Sequence, residues 1–163
     1  RNPARAHAGP GRSAPTPFLV TDASQGSAVL SPDGRYLAYE SEESGRWEVY
    51  VTRFPAGEGK WQVSVDGGEG AVWGRDGRTL YYQRDNCDVL AVDVTLEPTL
   101  ELGNPRLIVD CAAHHLPQRP FKTFDVARDG AIIKVKSVER ERDRKVDAGI
   151  TIVQSWTAEF ARR

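Results

Sequence analysis

The residue types able to do chemistry are few and scattered. Asp110-Cys111-Ala-Ala-His114-His115 places a carboxylate, a thiol and two imidazoles within six positions, donor types suited to zinc or copper. A metal cage needs three or four convergent ligands and no second cluster is visible, so this stretch reads as a polar loop. Gly67-Gly68-Glu69-Gly70 has the backbone freedom of a phosphate cradle. It lacks the following lysine and helix, and Glu69 would repel phosphate, so a flexible connection between strands explains it better. No Gly-x-Ser-x-Gly elbow occurs, which removes serine hydrolysis of that type. The run Glu139-Arg-Glu-Arg-Asp-Arg-Lys145 mixes four cations with three anions and has no apolar stripe; it reads as a solvated hairpin extension. No catalytic residue, metal ligand or cofactor is assigned from these patterns.

Composition narrows the classes further. The 163 residues suit one domain, and 22 Lys+Arg against 23 Asp+Glu leave a net charge of -1, which gives no electrostatic footprint for nucleic acid. With 39% hydrophobic residues, the chain reads as globular rather than disordered. No apolar run reaches the roughly 18 residues of a spanning helix, so no membrane span is expected. The chain contains no Met and opens Arg1-Asn2-Pro3, which suggests a processed piece or one cut from a longer protein.

The elements that must position any site are strands. Residues 1 to 16 are rich in Pro, Gly, Ala and Arg without apolar periodicity and read as a flexible tail. Beyond them Gly and Pro punctuate short segments rich in Val, Ile, Tyr and Trp, a β pattern. Ser31-Pro-Asp-Gly-Arg-Tyr-Leu-Ala-Tyr-Glu-Ser41 returns as Gly74-Arg-Asp-Gly-Arg-Thr-Leu-Tyr-Tyr-Gln-Arg84 and, more faintly, as Ala127-Arg-Asp-Gly-Ala-Ile-Ile-Lys-Val-Lys-Ser137. Asp33, Asp76 and Asp129 lie 43 and 53 residues apart, near the roughly 40 to 50 of a propeller blade. Each Asp-Gly joins two strands through a tight turn.

The expected fold is therefore an all-β propeller with about three four-stranded antiparallel blades, over residues 27–65, 70–110 and 122–160. The first blade has strands at Ser27 to Leu30, Tyr36 to Ser41, Trp47 to Phe54 and Lys60 to Val65. The second has Ala71 to Trp73, Thr79 to Gln83, Val89 to Val94 and Pro105 to Val109. The third offers Thr123 to Val126, Ala131 to Ser137 and Ile150 to Trp156, and Pro17 to Val20 supplies a strand offset to the front. Trp47, Trp61, Trp73 and Trp156 read as packing between blades.

Alternating strand direction sends the turns after each second strand, and the connections between blades, to one end, opposite the Asp-Gly turns. That end collects Glu42, Glu43, Arg46, Arg84, Asp85, His114, His115 and Arg119, with Asp66, Glu69 and Asp88. Loops held by rigid sheet commonly carry binding, so this face is the candidate for contact with a partner or ligand.

Ser31-Pro-Asp-Gly-Arg-Tyr-Leu-Ala-Tyr39, Glu43-Ser-Gly-Arg-Trp-Glu-Val-Tyr-Val51, Phe54-Pro55, Gly59-Lys-Trp-Gln-Val-Ser64 and Gln154-Ser-Trp-Thr-Ala-Glu159 together resemble the TolB-type, WD-like propeller repeat. They look like the carboxy-terminal propeller of bacterial serine/threonine protein kinases, over about Phe18 to Phe160. The second and third units depart from it, with Gly74-Arg75 and Ala127-Arg128 in place of Ser-Pro. The kinase motifs themselves are absent. The resemblance implies a bacterial interaction or sensory propeller, in the periplasm or cell envelope rather than the cytoplasm.

Two functional expectations follow. The first is a non-catalytic module, not an enzyme, that binds protein, peptide or a small ligand at its loop face. The alternative is a propeller hydrolase whose tunnel carboxylates and histidines hold a metal ion that activates water. Cys87 and Cys111 fall at the same end of neighbouring strands, where a disulfide is geometrically reasonable and would close a loop of about 24 residues. Because fewer than four blades do not surround an axis, a homodimeric six-bladed ring is expected, with Pro17 to Val20 of one chain pairing with Ile150 to Trp156 of the other.

Overall fold

The computed structural model describes residues 17–114, 116 and 124–134. The 1–16 segment, the run from Glu139 to Lys145 and the strand expected at Ile150 to Trp156 lie outside the described residues. The rest is all-β and antiparallel, with no helix among the described residues. The first sheet runs in chain order: β1 (Gln25–Leu30), β2 (Tyr36–Ser41), β3 (Glu48–Arg53) and β4 (Trp61–Gln62). The second is β5 (Glu69–Trp73), β6 (Thr79–Gln83) and β7 (Val89–Thr95), and both β8 (Glu101–Leu102) and β9 (Arg106–Val109) pair with β7. A third pair joins β10 (Phe124–Val126) to β11 (Ile132–Lys134). No closed ring of sheets is seen among the described residues.

The three Asp-Gly turns share one construction. Gly34, Gly77 and Gly130 sit at φ of 71°, 67° and 84°, a region that costs side-chain-bearing residues energy and glycine almost none. Each donates its N–H three residues back, to the carbonyls of Ser31, Gly74 and Ala127 at 2.8, 2.9 and 3.0 Å. Each aspartate then accepts from the amide two residues on, Asp33 from Arg35 at 3.1 Å, Asp76 from Arg78 at 2.9 Å and Asp129 from Ala131 at 3.0 Å. The turn is thus satisfied by its own residues, which is why it repeats.

Side-chain alternation builds two cores on opposite faces of the second sheet. Leu80, Tyr82, Leu90, Val92 and Val94 face the first sheet and meet Tyr36, Ala38, Val49 and Val51. Tyr81 and Val89 face the other way, toward Phe124, Ile132 and Val109. A strand buried on both faces must be apolar at successive positions, and Val89-Leu-Ala-Val92 is, all four buried, before the exposed Asp93. Each such aliphatic side chain contributes roughly 1.5–3 kcal/mol by leaving water.

Two expected strands are corrected. Pro17 to Val20 forms no strand: Pro17 has no amide to donate, Val20 is 80% exposed, and the segment is held by the ring of Phe18 on Phe54, with centroids 5.2 Å apart. The reciprocal strand exchange expected from it therefore lacks its first member. The strand expected over Lys60 to Val65 shrinks to Trp61–Gln62, because the amides of Val63 and Ser64 both turn to the Val49 carbonyl, at 2.8 and 3.4 Å, and break the ladder.

Candidate functional site

The end opposite the Asp-Gly turns is built from carboxylates that reach between segments. β1 and β5 each carry a bulge, between Gly26 and Ala28 and between Glu69 and Val72. Glu40, buried on β2, lies between them. Its Oε1 accepts the Gly70 amide at 2.6 Å, and its Oε2 lies 3.0 Å from where a β-carbon on Gly26 would stand. Glu69, in register with Gln83, is the last regular position of β5 before its bulge. Glu69 is half-buried, and its carboxyl is held above the usual carboxylate range by burial first and then by the charges of Glu40 and Asp85. Asp85 comes in from the turn after β6, its carboxylate 3.2–3.3 Å from where a Gly67 β-carbon would sit.

Residues 66–70 form a strap over this end. Glu48, 2% exposed, accepts the Gly67 amide through Oε1 at 2.9 Å and the Ser64 hydroxyl through Oε2. Ser64 Oγ in turn accepts the Val49 amide at 2.8 Å. The Gly68 amide donates to the Trp47 carbonyl at 3.0 Å, and a side chain at Gly68 would overlap Ser64. Beneath the strap the fully buried Tyr82 lies beside Arg84. Burial raises the Tyr82 phenol, and the Arg84 guanidinium, through its charge and a side-chain hydrogen bond, pulls it back down.

On the far side of β6, Lys134 of β11 is 2% exposed. Its ammonium donates to Gln83 Oε1 at 3.1 Å and to the Cys87 carbonyl at 2.8 Å. Burial lowers it to about 8, with Asp88 pulling the other way. Cys87 and Cys111 are joined, with Cα atoms 5.8 Å apart, and Asp88 Oδ1 accepts the Cys111 amide at 2.9 Å. The disulfide removes Cys111 as a thiolate ligand. Among the described residues no group of three or more His, Cys, Asp or Glu is arranged to hold a metal ion.

The residues expected at this face are spread unevenly. Glu42 and Glu43 are exposed, Glu43 pairing with Lys60 at 2.9 Å. Arg46, also exposed, reaches Asp66 of the strap at 3.6 Å. Arg84 and Asp85 come to the strap, whereas His114 is exposed on the turn after Cys111. His115 and Arg119 lie outside the described residues. Glu40, Glu48, Ser64 and Tyr82 were not marked by the sequence, because strand residues carry no motif.

No family model matches the chain, and no curated protein matches it. It is similar to a solved structure from Bacteroides uniformis named as a putative 6-phosphogluconolactonase, at 16% identity and a TM-score of 0.46, over 72% of this chain and 34% of that one. The chain thus spans about a third of that protein's length. The expected membership of the TolB-type repeat family is corrected by these findings. The turn residues that carried the resemblance are demanded by positive φ and amide capping wherever a tight β-turn recurs, so they are not specific to one family. Where a non-catalytic module, not an enzyme, was expected, the solved structure that the chain is similar to is named as an enzyme.

Proposed function

We propose that the strap end is a hydrolytic site acting by general acid–base catalysis on an uncharged ester or lactone, carried on sheets that are blades of a β-propeller. The observation that carries it is Glu69, a carboxyl with raised proton affinity placed between two further carboxyl side chains. Such a group holds its proton closer to neutrality and can donate it to a leaving oxygen, while a neighbouring carboxylate accepts one from water. In the step, water oxygen adds to the carbonyl carbon as its proton passes to Asp85. The carbon–oxygen bond to the leaving group then breaks, and that oxygen takes the Glu69 proton. One hydroxyl and one carboxylic acid result. The concentration of acidic side chains, Glu40, Glu48, Asp66, Glu69 and Asp85, favours a neutral substrate over an anionic one.

The test is hydrolysis of δ-valerolactone followed by proton release. Glu69→Gln cannot donate the proton and should lower kcat by about 10²-fold or more. The wild-type rate should fall on the alkaline side at a pH above the ordinary glutamate range, because that limb reports loss of the Glu69 proton. A Glu69→Gln variant with unchanged kcat would remove the proposal.

A further inference from the structure

The Asp-Gly end carries two grooves between neighbouring turns, and their cations are treated differently. The first lies between the turns of Asp33 and Asp76 and is bordered by residues 94–97. Its Arg35 is already taken, since the guanidinium pairs with both Asp33 and Glu97. The second groove, of about 460 Å³, lies between the turns of Asp76 and Asp129 and is lined by Arg75 and Arg128. Both side chains are exposed, and neither guanidinium has an ion pair or hydrogen bond among the described residues. Two unspent cations share one groove.

The turn itself does not demand them. Arg75 and Arg128 occupy the position that Pro32 holds in the first unit, where the proline ring lies 3.6 Å from where a β-carbon on Gly77 would stand. A position that packs on the next turn in the first unit carries, in both later units, a fork with five N–H donors. The carboxylates along the same groove do not answer it: Asp76 accepts the Arg78 amide at 2.9 Å and Asp129 the Ala131 amide at 3.0 Å, and neither pairs with either arginine.

The lining sets the ligand chemistry. A planar guanidinium matches a carboxylate through two parallel N–H···O bonds. Asp76 and Asp129 make each further negative charge on a ligand more costly, so a monoanion suits the groove better than a dianionic phosphate ester. Tyr81 and Val126, both half-buried, supply apolar surface for the rest of the molecule, the usual mix of a small-molecule site. We propose that the groove between the second and third Asp-Gly turns binds a small monocarboxylate with an apolar body, held by Arg75 and Arg128. This site lies at the other end of the strands from the strap and is independent of the hydrolytic reading.

The probe is benzoate, titrated at fixed ionic strength into the full chain labelled with nitrogen-15. The Nε–H resonances of Arg75 and Arg128 should shift saturably, and that of Arg78 should not. Both lining side chains are exposed, so Arg75→Gln and Arg128→Gln keep the fold, and each should bind benzoate about tenfold more weakly. Arg78→Gln, in the other groove, should bind it as the wild type does. Benzamide, which has the same ring without the charge, should not compete. Absence of a saturable shift overturns the proposal, as does wild-type affinity in either arginine variant or competition by benzamide. Equal weakening by Arg78→Gln also overturns it, because the effect would then be a general loss of positive charge. Tighter binding of phenyl phosphate than of benzoate would overturn the carboxylate class.

Discussion

The two ends of the same strands solve the same chemical problem in different ways. At the Asp-Gly end each carboxylate bonds an amide two residues away, as Asp76 does with Arg78, and nothing distant is needed. At the strap end Glu40 and Glu48 bond amides 30 and 19 residues away. A locally satisfied turn can be copied from unit to unit without regard to its neighbours. A carboxylate that reaches another segment ties specific parts together, and any part that fails leaves a buried group unpaired.

Substitutions can break that contrast in order of size. The largest effect is expected for Glu48→Ala, which leaves the Gly67 amide and the Ser64 hydroxyl without their acceptor in a buried site and should cost about 4 kcal/mol in urea unfolding. Lys134 gives the next. Burial holds its folded-state pKa at about 8 against the ordinary 10.5, so above about pH 8 the unfolded chain binds the proton more readily than the folded one. Stability should therefore rise with pH from about 8 to 9.5, by on the order of 2 kcal/mol, and Lys134→Met should abolish the rise. The smallest effect belongs to the turn end: Asp76→Ala loses one exposed local bond and should cost about 1 kcal/mol or less. If Asp76→Ala proved as costly as Glu48→Ala, the contrast between the ends would be lost.

What the sequence made legible follows the same line. The strands Tyr36–Ser41 and Thr79–Gln83 were readable to the residue because their start is set by the Asp-Gly turn and their length by alternation. The short β8 and the truncated β4 were not, since both depend on how β3 and β7 share their outer edges. Gly67-Gly68-Glu69-Gly70 was visible as a connection, but Glu69 gains its raised proton affinity from burial first and then from Glu40 and Asp85, one from another sheet and one from a turn. A glutamate inside a strand, such as Glu40 or Glu48, reads from sequence as a solvent-facing residue. Only the packed structure shows that it caps a glycine amide.

The burial of the second sheet on both faces has a consequence for how the molecule opens. Amides of β6 and β7 can exchange with deuterium only when cores on two sides separate together, so they report the slowest, global event. β1, by contrast, has four of its six residues exposed and adds the partly buried Val29 to the first core, so it can detach while the second core stays covered. The chain therefore has a protected centre and a yielding flank, and a protease that samples brief openings would make its first cuts in the flank.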